Sequence, residues 1–177
     1  MLPDLLVPNL RLVVCGSAVG AASALVGHYY AGPGNKFWRT IAEVGLTDRE
    51  LSPAEYRVLL SFGIGLTDLV KTQSGADSVI SFGVPDREGL RATIEHFQPR
   101  YLCFNGKRAA REYLDRKDVA FGVQPDTIGH TALFVAPSTS GAANRSWDIS
   151  VWRKLAGRVG GEPRKVAPPA GAPGGER

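Results

Sequence analysis

The sequence predicts an α/β domain built on a mostly parallel, four-stranded sheet. Two observations carry that expectation. Three short apolar runs, LVVC at 12–15, YLCF at 101–104 and LFVA at 133–136, are continuous rather than alternating, as strands covered on both faces are. Segments with helical spacing and capping residues fall between them, and strands alternating with helices imply a parallel sheet. A fourth run, IGLTDLV at 64–70, is interrupted by Gly65 and Asp68 and reads as a short strand ending in a polar loop.

The helices follow in order. Asn35 stands ahead of Phe37, Ile41 and Val44 at helical spacing, with Gly45 as the stop. Ser52-Pro53-Ala54-Glu55 is a capping box with proline in the first turn. Asp86 is the expected start of a helix that aligns Leu90, Ile94 and Phe97. A further helix covers Lys107–Leu114. Asp148 caps the last, which buries Val151, Trp152 and Leu155. The stretch 160–177, GGEPRKVAPPAGAPGGER, is too rich in proline and glycine to pack a core. The expected division is one domain over 1–159 and a disordered tail over 160–177.

Bulk properties narrow the function classes. A chain of 177 residues suits one domain with a real core. Against 17 acidic residues there are 21 basic ones, and the formal charge of +4 permits a polyanionic partner without deciding for one. No apolar run approaches the roughly 18 residues of a membrane span. The first ten residues lack the basic-then-apolar pattern of a secretory signal, so a cytoplasmic location is expected. Cys15 and Cys103 each lie in an apolar run and read as buried thiols, with no Cys/His spacing for zinc. No metal or cofactor is expected. No segment suggests a repeated interface, which points to a monomer.

In open parallel sheets, ligands bind at the carboxyl ends of the strands. That rule singles out the loops at 16–34, 67–74, 105–108 and 137–145. The first, CGSAVGAASALVGHYYAGPGNKFW, has glycines for close backbone approach but is not a GxGxxG dinucleotide loop. Tyr29 and Tyr30 within it are either a stacking platform or part of the core. The last loop, PSTSGAANRSW, offers amides and hydroxyls that suit a phosphate backbone, or else forms an inert turn.

Taken together, CGSAVGAAS, YYAGPGNKFW, NKFWRTIAEVGLT, GIGLTDLVK and PSTSG resemble the mismatch-specific uracil-DNA glycosylases and their thymine- and hypoxanthine-directed relatives. The resemblance runs in order from about Leu5 to Val159. It implies a three-layer α/β/α sandwich. It also implies cutting of uracil, or a related deaminated base, from double-stranded DNA. Two departures stand out. The family's first motif usually reads Gly-Ile-Asn-Pro-Gly, and its asparagine helps position the attacking water. Here Gly16-Ser17-Ala18-Val19-Gly20 has Ala18 at that place. The second motif usually reads Asn-Pro-Ser-Gly; here Ser138-Thr139-Ser140-Gly141 lacks the asparagine, and Ala142 replaces the apolar wedge.

Removing a base requires extruding it from the helix and supporting charge at the sugar. Asp68, a carboxylate among apolar neighbours at a strand end, is the candidate catalytic group, with Ser17 as a possible water holder. Its alternatives are a pair with Lys71 or backbone hydrogen bonds in the 67–71 turn. Tyr30 matches the family aromatic that stacks on the flipped base, and Tyr29 is expected to close the pocket. Gly16, Asn35 and Ser138 complete the expected base site, although helix capping also explains Asn35. His28, beside Tyr29, is a weaker base contact. Gly141, Ala142, Ala143, Asn144 and Arg145 should form the loop that enters the duplex gap, with Ser140 as a further DNA contact; Arg145 either reads the opposite base or binds phosphate. Lys107 and Arg108 are phosphate contacts or a solvated pair. A second class of function remains open, a protein that grips damaged or abasic DNA without cutting. A small-molecule hydrolase on the same sheet lacks a GxSxG elbow and a P-loop.

Overall fold

The computed structural model describes residues 2–160. The expected disordered tail therefore lies outside the described residues, apart from Gly160. The central sheet has five strands: β1 (Leu12–Gly16), β2 (Ile64–Asp68), β3 (Tyr101–Asn105), β4 (Gly122–Ile128) and β5 (Thr131–Ala136), in the order β2-β1-β3-β5-β4. The first four in that order are mutually parallel, and β4 pairs antiparallel with β5.

Residues alternate across the strands and so supply two cores. Leu12, Val14, Leu66, Cys103 and Phe134 face one side, where α2 (Phe37–Glu43) and α5 (Ile149–Val159) pack with Ile41, Trp152 and Leu155. Val13, Cys15, Leu102, Phe104 and Val135 face the other, where α3 (Val84–Phe97) and α4 (Lys107–Leu114) contribute Leu90, Ile94, Ala109 and Ala110. Burial on both faces is why these strands lack polar alternation. The result is the expected three-layer sandwich.

Four details differ from the sequence expectation. The sheet has a fifth strand, because β4 is an edge strand with Pro125 inside it and a register irregularity between Val123 and Thr127. Proline is tolerated at an edge, and its presence hid the strand. The glycine-rich first loop contains a short helix, α1 (Ala21–Val26). The Ser52 capping box does form, but it opens a 3-10 segment, Pro53–Phe62. Finally, α3 starts two residues early: Gly83 is its cap, and Asp86 reaches back to accept a bond from the Gly83 amide at 2.8 Å. Asp148 caps α5 as expected, accepting from the Ser150 amide at 2.9 Å.

Among the described residues, no helix is long and apolar enough to cross a membrane.

Candidate active site

Strand β1 pairs with β2 on one side and β3 on the other, so the chain reverses its direction of winding around β1. A crevice opens at the carboxyl ends of strands at such a point. Here the crevice is a cleft of about 750 Å³. Gly16 ends β1 and is the register partner of Asp68 at the end of β2. Asn105 ends β3, and Ser138 and Thr139 follow β5.

Asp68 lies at the floor of the cleft, 4% exposed. No hydrogen-bond donor among the described residues reaches its carboxylate. Lys71 does not pair with it; the ammonium is instead held by Asp4 and the Thr67 hydroxyl. Burial pushes the Asp68 carboxyl up to about 7; the Lys71 charge opposes this and Asp4 adds to it. A carboxyl poised near neutrality in a cleft is matched to proton transfer.

Gly16 makes room for that carboxylate. A Cβ at position 16 would stand 2.5 Å from Asp68 Oδ1 and 3.7 Å from the Tyr30 hydroxyl. Ser17 is buried at the cleft wall, its carbonyl accepting from the Val70 amide at 2.9 Å.

Both tyrosines line the cleft, with different surroundings. Tyr29 is buried, packs on Tyr56 with ring centroids 5.8 Å apart, and donates its hydroxyl to the Pro3 carbonyl at 3.3 Å. Tyr30 packs on Phe37 with centroids 4.1 Å apart, and its hydroxyl is buried beside the Asn105 side chain with no hydrogen bond of good geometry among the described residues. His28 is half-buried, its ring 6.1 Å from Tyr56, and is not part of the cleft wall.

Asn35 is also in the wall, and its Oδ1 accepts from the Phe37 amide at 3.0 Å. The N-cap of α2 is Lys36 rather than the expected Asn35, which instead satisfies the first helical amide from one residue further out and makes no hydrogen bond through its amide nitrogen among the described residues.

A model of the uracil DNA glycosylase superfamily matches residues 3–156. The chain belongs to that superfamily. Its fold is similar to the solution structure of a candidate uracil DNA glycosylase from Methanosarcina acetivorans, with a TM-score of 0.55 and 25% identity. That similarity covers 87% of this chain and 96% of the other. Superfamily membership supports a DNA glycosylase activity in general terms.

In this glycosylase-superfamily site, Ala18 lines the cleft and offers only a methyl group. The amide that the sequence reading missed is Asn105. Its Nδ2 donates to Thr139 Oγ1 at 2.9 Å and its Oδ1 accepts from the Thr139 amide at 3.0 Å, both bonds buried. This pincer fixes the second-motif loop to the end of β3. The signal was available: a polar residue closes an otherwise apolar strand, YLCFN.

The rim brings the first and last loops together through backbone. The Lys36 amide donates to the Thr139 carbonyl at 2.8 Å. A Cβ on Gly141 would meet the Gly34 carbonyl oxygen at 3.3 Å. Ser138 and Ser140 line the cleft, with the Ser140 amide donating to Ser138 Oγ at 3.3 Å. Gly141, Ala142 and Ala143 line it from a 3-10 turn, Gly141–Ser146. Asn144 and Arg145 belong to that turn but not to the cleft wall; Lys36 bonds Asn144 Oδ1, and Arg145 is exposed. Lys107, Arg108 and the unforeseen Arg111 form a basic edge. Lys107 lies over the Phe121 ring at 4.5 Å, and Arg108 pairs with Glu112 at 3.0 Å. Among the described residues, no group of three or more His, Cys, Asp or Glu is placed to hold a metal ion.

Proposed function

We propose that the chain is a monofunctional DNA glycosylase of the mismatch-specific kind. It hydrolyses the N-glycosidic bond of uracil, or a related deaminated base, flipped out of double-stranded DNA. The observation that carries this reading is Asp68, a buried carboxylate without a hydrogen bond among the described residues, on the floor of a cleft large enough for a base and its sugar.

The chemistry follows from that position. Above pH 7 the carboxylate is ionised. It accepts a proton from water as the water oxygen attacks the sugar C1′. The bond from C1′ to the base nitrogen breaks, and its electron pair leaves with the base. The negative carboxylate also opposes the positive charge that develops on the sugar. Asn35 offers its remaining amide N–H groups to the base edge, and the Tyr30 ring supplies an aromatic wall. The Gly141–Ser146 turn and the Lys107 edge flank the opening and suit the phosphate backbone of the strand that enters. The protein acts as a monomer in the cytoplasm and requires no cofactor.

The test is release of free base from a labelled duplex with one uracil opposite guanine, by wild type and Asp68→Asn. Cutting by wild type that collapses in the variant supports the reading. Cutting by both keeps the enzyme and removes Asp68 from its centre. A gel shift without product, on uracil and on hypoxanthine, would make this a binding protein for damaged or abasic DNA.

A further inference from the structure

The Tyr30 ring is accounted for by packing, but its hydroxyl is not. One face of the ring lies on Phe37 at 4.1 Å between centroids, a contact that phenylalanine would make equally well. The hydroxyl is buried beside the Asn105 side chain but makes no hydrogen bond of good geometry among the described residues, and buried polar groups in folded proteins are nearly always bonded. It carries a desolvation cost that phenylalanine would not have.

The backbone repeats the point. Tyr30 has φ of 53°, the left-handed region that a bulky residue enters only under constraint. The constraint is visible on both sides. The Ala31 amide donates to Ser23 Oγ at 3.0 Å, and Trp38 Nε1 donates to the Tyr29 carbonyl at 3.1 Å. Strained backbone that its surroundings over-determine is concentrated at functional sites. Here it delivers the hydroxyl to the same spot beside Gly16 that receives Asp68: both oxygens border the space a Cβ on Gly16 would take. Burial raises the phenol well above its ordinary range and the Asp68 charge raises it further, while the neighbouring Asn105 side chain works the other way and is outweighed. The hydroxyl therefore stays protonated.

We propose that the Tyr30 hydroxyl and the Asp68 carboxylate together hold the attacking water beside Gly16, the task that an asparagine at position 18 would otherwise perform. This role rests on the glycosylase reading above. The water donates one proton toward Asp68, which takes it during attack. The other is donated to the Tyr30 oxygen, which aligns the water lone pair with C1′. Tyr30 is neither oxidised nor deprotonated. Ala18 has no polar side-chain atom to compete for the water.

The test is Tyr30→Phe, which keeps the ring and removes only the hydroxyl. Single-turnover base release from the uracil duplex, with enzyme in excess, should slow about 10- to 100-fold, the loss of one hydrogen bond to the reacting water. Duplex affinity should stay within about twofold and thermal stability should not fall, because no hydrogen bond of good geometry is lost. In the Asp68→Asn background the same change should cost less than about threefold, since both residues serve one water. An unchanged rate in Tyr30→Phe, with an active wild type, overturns the hydroxyl's role and leaves the glycosylase reading intact. Full additivity with Asp68→Asn also overturns it. A wild type that releases no base overturns the glycosylase reading and this role with it.

Discussion

Asp68 Oδ1 occupies the space that any side chain at position 16 would need, 2.5 Å from where a Cβ would stand. Gly16→Ala is the least invasive way to disturb the carboxylate. Gly16 is not among the residues with positive φ, so alanine fits the backbone and only the carboxylate must move. Base release should fall about 100-fold or more, in line with the usual contribution of a positioned acid or base. Duplex affinity should change little. Retention of wild-type rate would mean that the carboxylate need not lie against Gly16 for the reaction.

The same carboxyl couples activity and stability to pH in opposite senses. Held up to about 7 by burial, it is protonated at pH 5 and ionised at pH 8. Base release should therefore rise through pH 7 and level off above it, and Asp68→Asn should abolish that rise. For stability, the folded protein keeps this proton between about pH 4 and 7 while the unfolded chain has lost it. Stability is thus largest below pH 4 as far as this group is concerned, and is lost as pH rises to 7. The difference corresponds to at most about 4 kcal/mol. Asp68→Asn should raise Tm at pH 8 by about 5 °C or more and have little effect at pH 4, read by thermal melts at both pH values. Equal shifts at the two pH values would refute the raised proton affinity.

How far the site was legible depended on the kind of signal. Asp68 stood out because a charge among Ile64, Leu66, Leu69 and Val70 is costly unless it does something. The sheet was legible because strands buried on both faces leave continuous apolar runs. Strand β4 left none, since an edge strand with one exposed face and a proline reads as loop. The polar end of YLCFN marked Asn105 but not its role: its partner Thr139 lies 34 residues away, and only the pairing of β3 with β5 brings the two together. The strain at Tyr30 likewise has no local signature, because Ser23 and Trp38 impose it from outside the dipeptide.

Asn105→Ala should loosen the second-motif loop rather than stop the chemistry. Two buried bonds to Thr139 disappear and leave its amide and hydroxyl unpaired, a loss of about 2–4 kcal/mol. Tm should drop and KM for the duplex should rise about tenfold or more, with a smaller change in kcat. The measurement is steady-state release over a duplex titration alongside a melt. A variant with normal Tm and KM would show that the loop is held well enough by its contacts with Lys36, Gly34 and the Trp152 indole, which donates to the Pro137 carbonyl.

Arg145 separates phosphate binding from base recognition. It is exposed on the Gly141–Ser146 turn, outside the cleft wall. If it meets a phosphate, Arg145→Ala weakens binding equally for uracil-containing and undamaged duplexes, and the slope of log affinity against log salt becomes shallower by about 0.9. If it reads the opposite base instead, the salt slope stays nearly fixed and preference among guanine, adenine and other partners of uracil changes. Kd measured across a salt series on three duplexes distinguishes the two. Asn144 is tied to Lys36, so Arg145 is the turn's available cation, and the phosphate outcome is expected.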